Sequence, residues 1–336
     1  MQQLILPEHY HPDMDIKETE VAIKFVKDYF ERRLAETLNL TRVSAPLFVL
    51  ASSGLNDNLN GYERPVSFGI REQNDVSCEI VHSLAKWKRQ ALKRYQFAPG
   101  EGLYTDMNAI RRDEDTDNLH SIYVDQWDWE RVIRREDRNE ETLKQIVTKI
   151  YQVIKDTERH VYRQYPQIKP MLPETITFVT TSELEDKFPE LTPKERERRI
   201  TKEYGAVFLM QIGGALKSGK PHDGRAPDYD DWSLNGDILV EYPLLDTAVE
   251  LSSMGIRVDE EALKKQLAIS GCEDRAKLPF QKSLLEGELP LTIGGGIGQS
   301  RLCMVFLHRA HIGEVQSSIW PQEMIDQCED HHIHLL

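Results

Sequence analysis

Near one end of the chain, Gly294-Gly295-Gly296-Ile297-Gly298-Gln299-Ser300-Arg301 sets four glycines ahead of an arginine. Glycine lets backbone lie close against a ligand. A helix starting near Gln299 would point its first N–H groups outward, with Arg301 in the first turn. Backbone donors plus a guanidinium suit a polyphosphate, which makes Gly296, Gly298 and Arg301 candidate nucleotide contacts. The spacing is neither a dinucleotide-binding fingerprint nor a Gly-Lys-Ser/Thr phosphate loop. Such a run also serves as a plain tight turn.

A second stretch, Ile110-Arg111-Arg112-Asp113-Glu114-Asp115, precedes Ile122-Tyr123-Val124-Asp125-Gln126-Trp127-Asp128-Trp129-Glu130. In a strand Gln126, Asp128 and Glu130 share one face. Beside two tryptophans they suit the floor of an amphipathic ligand site, or equally a solvated face. An arginine before an acidic run also suits a surface ion pair, which is worth little. Asp237 and Glu250 fall on neighbouring expected strands. Two oxygen ligands plus nucleotide phosphates are how Mg²⁺ is usually held; two unrelated surface acids are the other reading. Arg257 follows the apolar Met254-Gly255-Ile256, and an arginine there needs a partner such as a substrate carboxylate. In His82-Ser83-Leu84-Ala85-Lys86-Trp87-Lys88-Arg89 the basic residues Lys86 and Arg89 read as solvated. Gly224 to Trp232 is a loop by composition, either a polar pocket wall or a surface turn. The closing His331, His332 and His334 read as a polar tail, with metal binding the alternative.

These residues need elements to hold them. Glu18 to Leu38 has the period of an amphipathic helix, with Val21, Phe25, Tyr29, Leu34 and Leu38 on one stripe. It runs into one extended segment over Leu40–Val49, where Pro46 suggests a sheet edge. Asn56 to Gly61 is a turn-forming loop. Strands are expected at Val66–Ile70 and Val76–Val81. Ser83 is expected as the N-cap of a helix over Leu84–Tyr95. Ser121–Trp129 reads as a strand, Glu140–Tyr165 as a long helix, and Pro193–Tyr204 as a helix with proline at its start. Strands at Gly205–Gln211, Gly236–Tyr242 and Thr247–Ser253 and a helix at Asp259–Ser270 complete the reading. Hairpins outnumber any βαβ rhythm, so the expected class is α+β, a mostly antiparallel sheet flanked by helices.

The 336 residues suit one large domain or two ordinary ones. A net charge of −14 argues against a broad nucleic-acid-binding face, although a local basic pocket is compatible with it. No apolar run is long enough to span a membrane. Met1 to Asp15 lacks the apolar core of a signal peptide. The four cysteines form no CxxC pair and read as reduced thiols, which fits a cytoplasmic protein.

The strings His82–Arg89, Tyr123–Glu130, Arg225–Trp232, Glu250–Arg257 and Gly294–Arg301, in that order, resemble the catalytic domain of class II aminoacyl-tRNA synthetases. More closely, they resemble the bacterial ammonia-dependent asparagine synthetases, the aspartate–ammonia ligases, over the chain from the first helix onward. The resemblance implies a single catalytic domain over residues 1–336, with no anticodon-binding or glutaminase domain. The first helix and the strand to Pro46 look like motif 1, which implies a homodimer. Arg111 with Asp113 and Glu114 looks like motif 2, whose arginine holds the α-phosphate and whose acidic residue contacts adenine; the adjacent Arg112 is the other candidate. Arg301 looks like the motif 3 arginine, on the far phosphates. Aspartate-specific synthetases are similar at Ser83 and Lys88, at Gln126, Asp128 and Glu130, and at Glu250 and Arg257.

The implied reaction takes L-aspartate, ATP and ammonia to asparagine through an aspartyl-adenylate, with Mg²⁺ on Asp237 and Glu250. In the tRNA-charging relatives lysine and arginine hold the side-chain carboxylate, whereas here the β-carboxylate must reach ATP. The substrate is therefore expected to lie end for end, with its α-carboxylate on Arg257 and Lys88. Its ammonium then needs new anionic partners, for which Asp57 and Asp230 are the candidates. Asp57 is also the candidate proton acceptor for ammonia. Ser83, Gln126, Asp128 and Ser253 complete the expected aspartate pocket. The rivals are a tRNA-charging aspartyl-type enzyme, which needs an anticodon-binding domain, and a synthetase-like regulatory binder, which would lack the ATP-gripping arginines.

Overall fold

The computed structural model describes residues 4–336. The readings of the first residues as no signal peptide, and of a domain starting at residue 1, fall partly on residues 1–3, outside the described residues. Among the described residues the main sheet has eight strands. They are β1 (Leu40–Arg42), β5 (Gly102–Ile110), β6 (Tyr123–Val132), β7 (Thr177–Thr180), β8 (Ala206–Met210), β9 (Asp230–Tyr242), β10 (Thr247–Arg257) and β11 (Thr292–Gly298). Their order is β1-β5-β6-β11-β10-β9-β8-β7. Only the outermost pairs, β1–β5 and β7–β8, run parallel, so the sheet is mostly antiparallel. A small antiparallel sheet holds β2 (Phe48–Leu50), β3 (Ser67–Ile70) and β4 (Val76–Ile80) in the order β2-β4-β3.

The helices are α1 (Ile16–Leu38), α2 (Ala85–Arg94), α3 (Glu140–Gln164), α4 (Thr181–Lys187), α5 (Pro193–Tyr204), α6 (Glu260–Ile269), α7 (Pro279–Leu285), α8 (Gln299–Phe306) and α9 (Gln322–Asp330). Helices α1, α3 and α8 cover one face of the main sheet, and α2 and α5 cover the other. Alternation along each strand sends every second side chain to each face. On the α1 side those residues are apolar: Trp127, Trp129, Ile238, Val240, Met254, Ile256, Ile293 and Ile297 join one core with Phe30 and Leu34. The other face is apolar at its flanks, where Leu209 and Leu239 meet Ile200 and where Leu103 and Val132 meet Leu92. Its middle is polar, and a cavity opens there.

Local chemistry sets the ends of the elements. Asp15 and Glu18 form a reciprocal capping box on α1, Thr192 and Glu195 form another on α5, and Pro193 occupies the first turn of α5. The buried stripe of α1 is Ala22, Val26, Phe30, Leu34 and Leu38; Leu34 and Leu38 are as expected, and the first three lie one residue beyond the expected Val21, Phe25 and Tyr29. Val21 is exposed, while Phe25 and Tyr29 stack on His160 of α3. Two adjacent apolar stripes on one helix leave the choice to the packing partner. The single strand expected over Leu40–Val49 is two: β1 joins the main sheet and β2 the small one. Pro46, which has no N–H to give a ladder, lies in the crossing segment.

Candidate active site

Burial of charge marks the centre of the polar face. Arg257, at the end of β10, is fully buried between two carboxylates. Its Nε and Nη2 donate to Glu130 Oε2 at 3.1 and 2.9 Å, and its Nη1 donates to Asp230 Oδ1 at 2.5 Å. Burial alone would lower the guanidinium pKa; Glu130 and Asp230 reverse that and hold it above the ordinary value. A guanidinium has five protons in a fixed fork. Three are used here, leaving one on each Nη for a further carboxylate. The ring of Tyr229 lies 5.7 Å from the Arg257 carbon centre.

Glycine in β11 is required by this packing. A Cβ on Gly294 would stand 2.6 Å from Glu130 Oε2, 2.7 Å from the Trp129 carbonyl and 2.8 Å from Arg257 Nη2. One on Gly296 would stand 2.4 Å from Gln126 Oε1. The glycine run is thus no tight turn but a regular central strand whose missing side chains make room for neighbours. The following α8 does begin at Gln299, but its first free N–H groups are not all available to a ligand. The Ser300 N–H donates to Asp125 Oδ1 at 3.0 Å.

The cavity has a volume of about 620 Å³. One charge cluster on its wall joins Asp57, Ser83, Asp128, Tyr229, Asp230 and Arg257. Asp57 is buried, accepting the Leu59 N–H at 2.9 Å and the Ser83 hydroxyl at 2.8 Å. Burial raises the Tyr229 phenol well above its ordinary range, with the charges of Asp57 and Asp230 adding to it. Burial also raises the Asp230 carboxyl, although Arg257 opposes the shift. Gln126, Ser253, Gly296 and Gly298 line the wall between the clusters.

The second cluster joins Arg111, Glu114, Lys194, Arg225, Glu250 and Arg301. A bulge in β10 between Glu250 and Ser252 sets Glu250 close to the register of Asp237 on β9. Burial would raise the Glu250 pKa, but Arg301, Arg225, Lys194 and Arg111 hold it below the usual value. Asp237 moves the other way, raised by burial and by Glu250 against the pull of Arg225. Arg225 is paired with Asp237 Oδ2, while Asp237 Oδ1 is buried with no partner. As an oxygen pair for Mg²⁺ the two acids are unequal: Glu250 lines the cavity, whereas Asp237, although one of its oxygens has no partner, sits behind Arg225. Among the described residues no group of three or more His, Cys, Asp or Glu converges. The C-terminal histidines are part of that result; His332 packs on His11 instead.

The structure brings most expected site residues to this cavity and moves others away. Lys88 is not on the wall. It is fully buried, its ammonium paired with Asp128 and donating to the Trp129 and Gly295 carbonyls at 3.0 and 3.1 Å. All three protons are spent, so it cannot also hold a substrate carboxylate. Burial, with Arg257 adding to it, lowers its pKa despite Asp128. Ser83 is not the N-cap of α2; Leu84 is, and its N–H donates to Asp128 Oδ2 at 3.0 Å. Asp113 is committed to Arg64, which holds its carboxyl well below the usual range. Of the two adjacent arginines, Arg111 lines the cavity and Arg112 points to solvent. Asp237 lies behind Arg225 rather than on the wall.

Trp127 and Trp129 face the opposite core, so they form no part of the floor. Lys86 and Arg89 are not solvated. Lys86 pairs with buried Asp228 at 3.1 Å, and Arg89 donates to the Pro290 and Val258 carbonyls at 2.8 and 2.6 Å. Burial lowers the Arg89 pKa to about 10. Sequence reasoning missed Lys194 altogether and saw Arg225 only as part of a loop. A lone arginine among acids is a signal, but it does not say which acid it meets.

The family model described as aspartate-ammonia ligase matches residues 17–332. An aspartate–ammonia ligase of Ruminiclostridium cellulolyticum is 66% identical over 336 residues, covering 100% of both chains. Among solved structures, asparaginyl-tRNA synthetase of Pyrococcus horikoshii complexed with asparaginyl-adenylate matches with a TM-score of 0.66 at 15% identity, over 90% of this chain and 70% of that one. The Entamoeba histolytica asparaginyl-tRNA synthetase in complex with asparaginyl-adenylate gives 0.63 at 14%, over 90% and 66%. At such identities these two establish a shared fold, the class II synthetase catalytic domain.

Proposed function

The chain belongs to the aspartate–ammonia ligase family, and from that premise we propose how its cavity carries out the reaction. It makes asparagine from aspartate and ammonia. The β-carboxylate oxygen of aspartate attacks the α-phosphorus of ATP, and diphosphate leaves. Ammonia then attacks the β-acyl carbon, a proton is lost, and AMP leaves. The observation that carries this reading is the cavity with Arg111 and Arg301 in one charge cluster and the half-used fork of Arg257 in the other.

Arg257 has the two spare protons to hold one carboxylate of aspartate. With Lys88 unavailable, that grip falls to Arg257 alone. If it holds the α-carboxylate, the β-carboxylate is directed toward the arginines, and Asp57 and Asp230 lie where the α-ammonium needs anions. Arg111 and Arg301 offset charge developing on the phosphates, a preorganised electrostatic contribution. Glu114 lines the cavity with no side-chain partner among the described residues and is the candidate for adenine. Mg²⁺, when bound, would be held by Glu250 on the wall, with the spare oxygen of Asp237 behind Arg225 as the second donor, and would neutralise phosphate charge. Asp57 is the candidate acceptor of the ammonia proton, since only neutral ammonia is nucleophilic.

Incubation with aspartate, MgATP and ammonium should give asparagine with AMP. Formation of ADP would sink the adenylate course. A cytoplasmic location and a homodimer through α1 and β1 belong to the same proposal. The homodimer rests on the motif 1 resemblance and on exposed Ile16 and Val21. Sedimentation equilibrium tests it, and a monomer at micromolar concentration would exclude it.

A further inference from the structure

The second charge cluster holds more positive charge than the two motif arginines provide. Arg225 and Lys194 also stand on the cavity wall, beside Glu250. Arg225 comes from the segment between β8 and β9, and Lys194 from the first turn of α5. The guanidinium of Arg225 is aligned from behind. Its Nη2 pairs with Asp237, and its Nη1 donates to the Gly224 carbonyl at 2.9 Å and to Asp223 at 3.4 Å. Two of its five protons, on Nε and Nη2, have no partner among the described residues.

A guanidinium keeps its charge at any working pH, and this one stands among three carboxylates, Asp237, Asp223 and Glu250. Lys194 donates to Glu197 at 3.0 Å. Glu197 in turn meets His222 at 3.0 Å, in the same segment as Arg225. That contact joins the two cations into one wall.

We propose that Arg225 and Lys194 bind the β- and γ-phosphates of ATP, and so hold the diphosphate leaving group. The inference rests on the adenylate reading above and deepens it. A triphosphate tail brings more negative charge to this cluster than Arg111 and Arg301 offset. AMP carries only the α-phosphate and leaves the two further cations without a ligand. The pair with Asp237 keeps the guanidinium oriented, so little reorganisation is needed when phosphate arrives.

The test is calorimetric binding of ATP, AMP, diphosphate and aspartate, each with and without Mg²⁺, to wild type, Arg225→Ala and Lys194→Ala. Arg225→Ala should weaken ATP and diphosphate by roughly 10- to 100-fold, the range for a charge-assisted hydrogen bond. AMP and aspartate affinities should stay within about twofold, the scale of a change that touches no contact. Lys194→Ala, at an exposed position, should weaken ATP by up to about fivefold. Glu197 keeps its contact with His222 at 3.0 Å in that variant, whereas Arg225→Ala strips buried Asp237 of its cation, so Lys194→Ala answers the question even if Arg225→Ala fails to fold. Equal losses for AMP and ATP, loss of aspartate instead, or unchanged ATP affinity in both variants would overturn the inference. Failure of the wild type to bind ATP would instead overturn the adenylate reading beneath it.

Discussion

Arg301→Ala separates chemistry from stability. The Arg301 guanidinium lines the cavity and is only half-buried. Its internal ties are one good hydrogen bond, Nη1 to the Glu250 carbonyl at 2.9 Å, and one long one, Nη2 to the Leu119 carbonyl at 3.4 Å. Losing them should cost about 1 kcal/mol. At about 2.1 cal/mol/K per residue, unfolding 336 residues has an entropy near 0.7 kcal/mol/K, so Tm should fall by about 1–2 °C. The reaction should suffer far more, because removing one preorganised donor from developing charge lowers kcat by about 100- to 1,000-fold. Steady-state release of AMP and asparagine, measured beside a thermal melt, reads both effects on one preparation. A near-normal kcat would refute the role given to Arg301. A Tm drop of about 10 °C or more would show that the side chain serves the fold instead.

Three further outcomes follow from the buried charges and the glycine strand. Lys88→Met leaves Asp128 without its cation and Glu130 with Arg257 alone, so denaturant unfolding should show a loss of about 3–5 kcal/mol. An unchanged stability with a raised aspartate KM would return Lys88 to the substrate. Gly294→Ala should cost about 1–3 kcal/mol and raise the aspartate KM, because its Cβ meets the Trp129 carbonyl and displaces Glu130 from Arg257. Gly214→Ala, with no atom within 4 Å, is the control and should be neutral within about 0.5 kcal/mol. Glu314 lies buried beside Tyr10 and Arg309, and burial raises its carboxyl to about 7 from 4.5. Its protonated form favours the folded state, so that stability is present below about pH 4.5 and is lost as pH rises through 7, a swing of about 3 kcal/mol. His311, lowered to about 4 by burial, works in the opposite direction on acidification. In Glu314→Gln only the His311 contribution remains, so variant minus wild-type stability should rise from pH 5 to pH 7.5. A difference independent of pH would show that Glu314 titrates normally.

The sheet and its long helices were legible because their signals are local. Pro193 at the start of α5 and the period of α3 fixed those helices almost to the residue. Side-chain partnerships were not legible, because they are long-range. Lys86 meets an acid 142 positions away, and Arg89 a carbonyl 201 positions away. Charge density on a short helix looks the same whether the helix faces water or a buried carboxylate. Strand β5, placed between β1 and β6, has no counterpart among the expected strands. Asp106 and Asn108 do alternate with Met107 and Ala109, but adjacent Tyr104 and Thr105 reverse the pattern one residue earlier and shorten the signal. The cavity followed a similar division. Ordered strings pointed to Glu250, Arg257 and Arg301 and the motif 2 resemblance to Arg111, while the fold alone revealed that Lys88 is spent and that Arg225 stands in front of Asp237.

The most direct test follows oxygen atoms. Aspartate carrying a heavy-oxygen label only in its β-carboxylate is incubated with MgATP and ammonium, and the AMP is weighed by mass spectrometry. Activation of the β-carboxylate leaves one labelled oxygen on AMP and the other in the asparagine amide. Unlabelled AMP from this substrate, or label arriving only from an α-labelled aspartate, would contradict the reversed seating of aspartate on Arg257 and the β-adenylate with it.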